Sequence, residues 1–433
     1  MGGVGPNHVV ELINGRFAVY NRAGGAPVAA STLDQFWNSA FSGGVTTSSS
    51  FDPRILYDSF TSRWFASAVD NAGSANSSYL LAVSSSSDPT ASWTGFKIDS
   101  DATNTNWSDF PTMGINNDVL TLAGNMFTNA ANSFSGTSVV VVDKAALIGG
   151  TLTQTSFQNQ SVGSTGFTMQ PVWDLDNGSL TQSLLSSFNK SAGSLKVSNI
   201  GGTAAAPTLN TAGGAIAVTA RSAPPTIDQP GAKANIHAGD SRFSGNVIKQ
   251  QITGRAVASL WGVQSVSVNG RAAIEWYEID SVTNAIVQSG LIQDVALGFN
   301  FPSIAVNDFG EIVIGFSGAD ATSTFMSTYY VGGQTIGGVT TFGAIQQTQA
   351  GLADYQILDG SGRNRWGDYS ATMLDPNDQR HFWTFQEYAS ASNQYSIRIT
   401  EIIFSASAVP EPSMAGMLLF AGLGLTARRR RKN

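Results

Sequence analysis

The sequence predicts an all-β protein: a single β-propeller of six to seven four-stranded blades, followed by a short C-terminal transmembrane helix. Three observations lead to this prediction: a motif that recurs along the chain, the spacing of its copies, and the absence of a sustained 3.6-residue apolar period in the body. The Ala-rich segment Lys144–Leu147 fits one helical turn at most.

The recurring motif predicts a β-hairpin. Phe110-Pro-Thr-Met-Gly-Ile-Asn-Asn reappears as Phe301-Pro-Ser-Ile-Ala-Val-Asn-Asp, and the same frame fits copies that begin at Asp52, Gln170 and Tyr369. An Asp or Asn follows the proline position by five residues, at Asp58, Asn116, Asp176, Asn307 and Asp375. These side chains suit either a turn between two strands or a ring of oxygen ligands, and we favour the turn because Asx side chains bond local backbone groups.

The spacing of the copies predicts the blades. They lie roughly 58 to 69 residues apart, which is room for four strands and their turns, whereas a β-sandwich does not explain such a repeat. The predicted blades cover residues 51–107, 108–167, 168–235, 236–299, 300–365 and 366–404, with the fourth anchored only by the segment that begins at Ile236. Two N-terminal strands form a seventh blade or supply the fourth strand of the last one, and we expect the second.

Composition excludes several functions. The net charge of -7 and the pI near 5.0 argue against nucleic acid as a partner, because no basic surface is available for phosphates. The chain has no cysteine, so disulfides, thiolate catalysis and cysteine-based zinc sites are excluded. The carboxylates of Asp375 and Asp378 suit calcium by ligand type, but their spacing does not match a calcium loop, so no cofactor is predicted.

The C-terminus has the pattern of a membrane anchor. After the propeller (1–404), a linker (405–413) precedes an uncharged stretch (414–427) and a basic tail (428–433). Fourteen helical residues span about 21 Å, a marginal length for a bilayer core of about 30 Å. The basic cluster that follows predicts a cytoplasmic end and an exported body.

The order of these features resembles the PEP-CTERM sorting signal of bacteria that have an exosortase. The matching residues are Pro410, Glu411, Pro412, Arg428, Arg429, Arg430 and Arg431. The resemblance implies an exosortase-type processing enzyme as partner, transient anchoring in the inner membrane, and release into the cell envelope or extracellular matrix. An N-terminal signal peptide is missing from Met1 onward, so we expect a truncated start.

This interpretation predicts that the tail is removed. Mass spectrometry of protein recovered from the native culture medium should find no peptide beyond about Pro412. An intact C-terminus on soluble extracellular protein would contradict processing.

The body also resembles a group of exported bacterial propeller proteins. The matching segments are Gly5–His8, Phe51–Asp58 and Arg365–Ser370. This resemblance implies the fold and the location, and it implies no activity.

Residues just before each motif copy are the candidate site, because inner strands begin beside the channel of a propeller. The predicted ligand-binding residues are Asp52, Arg54, Asp109, Asp240, Arg242, Asn300, Arg365, Trp366 and Asp368. Acids and arginines suit sugar hydroxyls, and Trp366 suits stacking on a sugar ring. The alternative is that these groups only hold the blades together.

The first functional prediction is therefore a non-catalytic propeller that binds polysaccharide, such as the exopolysaccharide of the host, or protein. The second is a carbohydrate-active enzyme, glycosidase or sialidase-like, in which two of the acids would supply the catalytic carboxylates. No pairing of the kind a sialidase needs, a tyrosine beside a glutamate, is identifiable in the sequence. The third is a purely structural coat protein.

Overall fold

The structure is a computed structural model that describes residues 1–179 and 181–405, and it shows a seven-bladed β-propeller. Each blade is a separate sheet whose innermost strand comes first in the chain. All strand pairs are antiparallel except one parallel pair in the fifth blade. The prediction of six to seven blades is therefore confirmed at seven.

Blades 1 to 3 follow the chain in order. Their strands are β1 (Gly2–Val4), β2 (His8–Ile13), β3 (Arg16–Asn21) and β4 (Ala29–Ser31); β5 (Ser50–Asp58), β6 (Arg63–Asp70), β7 (Ser78–Ser84) and β8 (Trp93–Asp99); and β9 (Asn106–Ile115), β10 (Val119–Thr128), β11 (Phe134–Asp143) and β12 (Gln154–Gln160).

Blades 4 and 5 share one stretch of chain, because the strand that starts blade 4 continues into blade 5. Blade 4 contains β13 (Phe167–Pro171), β15 (Gln182–Asn189), β16 (Ser194–Thr203), β17 (Ala206–Asn210) and β18 (Ala215–Ala217); blade 5 contains β14 (Trp173–Asp174), β19 (Ile248–Gln250), β20 (Ser259–Val268), β21 (Arg271–Asp280) and β22 (Ile286–Ile292).

Blade 6 has five strands and blade 7 only three. They are β23 (Gly298–Val306), β24 (Glu311–Ala319), β25 (Ser327–Ile336), β26 (Val339–Phe342) and β27 (Gln346–Gln349), then β28 (Ala371–Leu374), β29 (His381–Ala391) and β30 (Gln394–Ile403). The inner strands are buried on both sides, so the main apolar core lies between neighbouring blades.

Helices are few and short among the described residues. They are α1 (Leu33–Ala40), α2 (Lys144–Ile148), α3 (Val162–Thr165) and one 3₁₀ turn (Lys190–Ala192). The single helical turn predicted near Lys144 is confirmed, but the sequence prediction missed α1. Thr32 and Gln35 form a capping box there, and the two turns bury Phe36 and Trp37. Eight residues are too few to establish a helical period on their own.

The ring closes without a shared strand, so the prediction that an N-terminal strand completes the last blade is wrong. The N-terminal strands form a complete four-stranded blade of their own. Side chains join this blade to blade 7: Arg22 pairs with Asp375, and Asn377 Nδ2 donates to the carbonyl of Pro6 at 2.9 Å.

The Asx column forms turns, as we favoured from the sequence. In each copy the side-chain oxygen accepts a hydrogen bond from the backbone N–H two residues later, at Asp58, Asn116, Asp174, Asn307 and Asp375. The predicted member Asp176 is wrong by two residues, because its own N–H donates to Asp174. The β13 bulge sets this frame, so Thr168-Met169 and not Gln170-Pro171 matches Phe110-Pro111.

Lysines pair with two of these turn residues. Lys144 Nζ, from blade 3, lies 3.2 Å from the carboxylate of Asp58 in blade 2, and Lys249 Nζ lies 2.8 Å from that of Asp174 within blade 5. The turn at Asp58 therefore also connects adjacent blades. Asp58 and Asp375 line a small pocket of about 120 Å³ at this mouth of the channel, which we call the Asx mouth.

The blade predicted for residues 236–299 corresponds to blade 5 of the structure. It lacks the inner strand that we placed at Ile236. Ile236 instead forms isolated bridges with Ile227 and Asn364, inside a long irregular segment between β18 and β19. The inner strands of this blade are β14 and β19.

The predicted sorting tail lies outside the described residues. Within residues 1–179 and 181–405, no helix combines the length and the apolar character needed to cross a bilayer.

Candidate functional site

Four inner strands begin with a β-bulge at the mouth of the channel opposite the Asx mouth. The bulged residues Asp52, Phe110, Thr168 and Phe301 have φ angles of 52°, 51°, 53° and 46°. Bulges re-aim side chains, and a positive φ is unusual for residues other than glycine. Three of the four line the same cavity, so this backbone irregularity builds the site.

The cavity has a volume of about 710 Å³ and combines aromatic rings with charged groups. Its charged and ionisable lining residues come from blades 2 and 3 and from two loops: Asp52, Asp109, His237, Asp240, Arg242, Arg363, Arg365 and Asp368. Its aromatic lining residues are Phe51, Trp107, Phe110, Phe127 and Phe301.

Six of the nine predicted site residues therefore meet in one cavity: Asp52, Asp109, Asp240, Arg242, Arg365 and Asp368. We had expected Asp240 and Arg242 at the start of an inner strand. They lie instead in the loop between β18 and β19.

The other three, Arg54, Asn300 and Trp366, do not line the cavity. Trp366 is 2% exposed, packs edge-on against Tyr355 at 4.9 Å and lines a separate side chamber, so its stacking on a ligand stays a prediction. Asn300 is fully buried, and neither polar atom of its side chain has a hydrogen-bond partner among the described residues.

Arg54 lies on the axis beneath the cavity. Its guanidinium is 1% exposed and donates from Nε to the carbonyl of Pro111 at 2.8 Å and from Nη1 to that of Ser244 at 3.0 Å. It also stacks on the ring of Tyr369 at 4.2 Å. Since Pro111 lies in blade 3, Ser244 in the segment before β19 and Tyr369 in the segment before β28, Arg54 joins blade 2 to blade 3 and to both of these segments. Burial lowers the pKa of this guanidinium.

Arg242 is the central cation of the cavity. Its Nε and Nη2 donate to both oxygens of Asp240, at 2.8 and 2.7 Å, and its guanidinium lies over Phe110 at 4.4 Å and Phe167 at 4.8 Å. Burial works against ionisation of Asp240, but the hydrogen bonds and charge of Arg242 hold the pKa of Asp240 below its ordinary value. Asp240 is therefore an ionised, oriented carboxylate.

Two other carboxyl groups titrate near neutral pH. Burial, with the nearby charge of Asp52, raises the pKa of Asp109 to about 6. Burial also raises the pKa of Asp368 to about 7, although Arg365 pairs with it and opposes the shift. Burial, Arg363 and Arg365 lower the pKa of His237. The cavity therefore gains up to two negative charges as Asp109 and Asp368 ionise with rising pH.

A side chamber of about 200 Å³ adjoins the cavity and shares Asp52, Arg365 and Asp368 with it. Glu387 lines this chamber, and burial raises its pKa to about 7. A Cβ atom on Gly367 would lie 2.5 Å from the Glu387 carboxylate, so only glycine allows this close approach.

Several residues of the segment Arg365–Ser370, one of the segments that resemble other exported propeller proteins, have a structural role at this site. Arg365 and Asp368 form an ion pair on the cavity wall, and the ring of Tyr369 supports Arg54. Ser370 Oγ donates to the carbonyl of Phe301 at 2.7 Å, which fixes the bulge of blade 6. The motif therefore builds the wall and the floor of the cavity.

Sequence reasoning missed the aromatic side of the cavity and the cation Arg363. Phe110 and Phe301 stood in the repeat, and their place before a proline was a usable signal for a bulge. Trp107 and Phe127 meet only through the pairing of β9 with β10, at 5.4 Å, and no local pattern marks them.

The carboxylates considered for calcium are engaged by protein groups. Asp375 pairs with Arg22 and accepts a hydrogen bond from Trp383 Nε1 at 2.9 Å, while Asp378 accepts one from the backbone of Arg380 at 2.9 Å. Asp375, His381 and Glu401 have ligand atoms within 4.8 Å of one another, but Arg22 occupies that cluster as its cation.

Fold and site together define a seven-bladed propeller with a polar and aromatic cavity at one mouth of its channel. No family model matches the chain, and no curated protein matches it.

Several solved structures resemble it at low identity. A puromycin hydrolase is 8% identical with a TM-score of 0.45, over 93% of this chain and 51% of that one, so the chain spans about half its length. An endo-arabinase from Bacteroides thetaiotaomicron is 14% identical with a TM-score of 0.34, over 82% and 95%. The NanB sialidase from Streptococcus pneumoniae is 9% identical with a TM-score of 0.46, over 84% and 70%. At these scores the likeness carries no argument about function.

Proposed function

We propose that this protein is a non-catalytic binding module that holds a carbohydrate in the cavity opposite the Asx mouth. The observation that carries the proposal is the composition of that cavity, which brings aromatic rings, carboxylates and guanidinium groups into about 710 Å³. Ligand sites of small molecules usually have volumes of about 300–1,000 Å³ with few, well-placed polar groups.

Sugars match both parts of this lining. Carboxylates accept hydrogen bonds from hydroxyl groups and guanidinium groups donate to them, while aromatic rings suit the apolar faces of sugar rings. Asp240 and Arg242 orient each other, so each is already positioned before a ligand arrives. Nucleic acid does not fit, because the acids in the cavity would repel phosphates.

We place this module outside the cell, on the C-terminal sequence features alone. In this proposal an exosortase-type enzyme processes the tail after transient anchoring in the inner membrane, and the ligand is the host's exopolysaccharide. The body then functions in the envelope or the extracellular matrix.

A carbohydrate-active enzyme is the second candidate, and one observation favours it. Asp240 is held ionised by Arg242, whereas Asp368 in the same cavity has a pKa of about 7, so both its protonated and its ionised form are present at neutral pH. Carboxyl groups whose pKa values are pushed apart in one site can divide the roles of acid and base.

Binding of neutral, acidic and amino glycans by the full chain tests the proposal, in an array and then by calorimetry. Asp109→Asn and Asp368→Asn should each weaken binding about tenfold, because each replaces a carboxyl group with an amide that has a single acceptor oxygen. Asp88→Asn is the matched control, since Asp88 is exposed on the turn between β7 and β8 and its Oδ1 accepts from Thr90, which an amide oxygen can also do. Trp366→Ala, being a change in the core, is unsuitable as a binding variant.

The outcomes separate the candidates. Weakened binding without product formation by the parent protein supports the binding module. Product formation that Asp368→Asn abolishes while binding persists would favour the enzyme instead. If the variant that combines Asp109→Asn with Asp368→Asn bound every glycan as well as the parent does, or if the parent bound no glycan, the structural coat protein would remain as the candidate.

A further inference from the structure

Five aromatic rings contact one another in series beside the cavity. Their centroids are 6.4 Å apart for Phe51 and Trp107, 5.4 Å for Trp107 and Phe127, 5.7 Å for Phe127 and Phe134, and 5.8 Å for Phe134 and Phe167. We call these five residues the aromatic band. The strands that carry them, β5, β9, β10, β11 and β13, belong to blades 2, 3 and 4.

The band continues beyond the cavity. Phe51, Trp107 and Phe127 line the cavity, Phe167 packs against the cavity residue Arg242 at 4.8 Å, and Phe134 lies outside the lining. Phe134 contacts the rings of Phe127 and Phe167 and has 38% of its surface exposed. Phe134 therefore extends the aromatic lining of the cavity onto the open surface.

The polar groups of the turn that carries Phe134 are neutral. The turn between β10 and β11, residues 128–135, contains no charged residue. Asn132 Oδ1 accepts a hydrogen bond from Trp107 Nε1 at 3.2 Å, and Asn132 also lines the cavity. Asn129 Oδ1 lies buried beside this turn with no partner among the described residues. Amides and hydroxyls next to ring faces suit a neutral chain of hydroxyl groups more than a charged segment.

We propose that the aromatic band is an extension of the cavity that binds successive sugar units of a neutral polysaccharide chain. The inference rests on the proposed function and deepens it. The ligand is a stretch of several linked sugar units within a polysaccharide chain, and not a single terminal sugar. The cavity holds one end of the bound stretch, and the ring faces at Phe127 and Phe134 receive the units that leave it. The aromatic band is continuous with the cavity, so one ligand can occupy both. We therefore favour a glycan over a protein as the partner of the band.

The test compares affinities for neutral oligosaccharides of one to eight units, using calorimetry with the full chain and graded cello-, xylo- and malto-oligosaccharides. The affinity of the parent protein should rise with length over several units. Phe134→Ser should weaken binding of the octamer about tenfold and binding of the monomer less than twofold, because only the longer ligand reaches this ring. Phe134→Tyr keeps the ring face and should bind the octamer like the parent.

Phe60→Ser is the matched control, because Phe60 is 57% exposed at an Asx turn, near the opposite mouth. It should leave every affinity unchanged. Equal losses at all lengths, or an affinity that does not depend on length, would overturn the extension while the cavity variants could still support carbohydrate binding. Failure of all these sugars and of the glycan array to bind would overturn the proposed function, and the extension with it.

Discussion

Replacing Arg54 with alanine is expected to lower the free energy of unfolding by about 3 kcal/mol or more. The change leaves the buried carbonyls of Pro111 and Ser244 without their donor, and it opens a cavity against the ring of Tyr369. Loss of a large buried side chain and unpaired buried acceptors are each costly. Chemical denaturation followed by tryptophan fluorescence measures the effect.

Two further variants serve as controls for the Arg54→Ala measurement. Arg398→Ala removes an exposed arginine on β30 and should change stability by less than about 0.5 kcal/mol. Arg54→Lys keeps the charge but lacks the planar group that reaches two carbonyls and stacks on a ring, so its effect should be intermediate. If Arg54→Ala were as stable as the parent, the contacts of Arg54 with blade 3 and with the two segments before β19 and β28 would not stabilise the fold.

The second large effect is expected at the ring closure, where Arg22→Ala should cost about 3 kcal/mol. The Asp375 side chain is only 1% exposed, and without Arg22 its charge would stay buried with only hydrogen-bond donors beside it. Since blades 1 and 7 share no strand, this pair is one of the few polar links that close the ring. Hydrogen exchange should show lost protection in β1, β2 and β28 before other strands.

Lys97→Ala provides a control of matched burial. Lys97 and Asp70 pair at 2.6 Å inside blade 2, with side chains 25% and 0% exposed, close to the 22% and 1% of Arg22 and Asp375. It should destabilise the protein comparably but raise exchange only within blade 2. The same exchange pattern in both variants would show that the Arg22 pair has no special role in closure.

The repeated motif shows how much of the fold can be predicted from local sequence. Phe110-Pro111 and Phe301-Pro302 marked two inner strands correctly, because each strand and its turn lie within one short segment. Thr168-Met169 carries no proline, so the nearby Pro171 drew the predicted frame two residues out of place. A residue with positive φ, and not the proline, is what the four copies at Asp52, Phe110, Thr168 and Phe301 share.

The candidate site shows what local sequence does not predict. Asp52, Asp109 and Asp368 were predicted to converge because they stand beside the starts of inner strands, and they line one cavity. Trp366 stands in the same kind of position, yet it is buried against Tyr355. A sequence position places a residue near the channel, but packing by distant segments decides whether its side chain faces the cavity.

The sequence by itself determined the all-β propeller, its blade spacing and the Asx turns, because strand period, turn chemistry and repeat length are local properties of the chain. Only the tertiary structure decided the rest: ring closure by side chains such as Arg22, the axial position of Arg54, and the aromatic band. Each of these depends on contacts between residues far apart in the chain. Burial and neighbouring charge, which set the pKa of Asp109 and of Asp368, exist only once the blades have assembled.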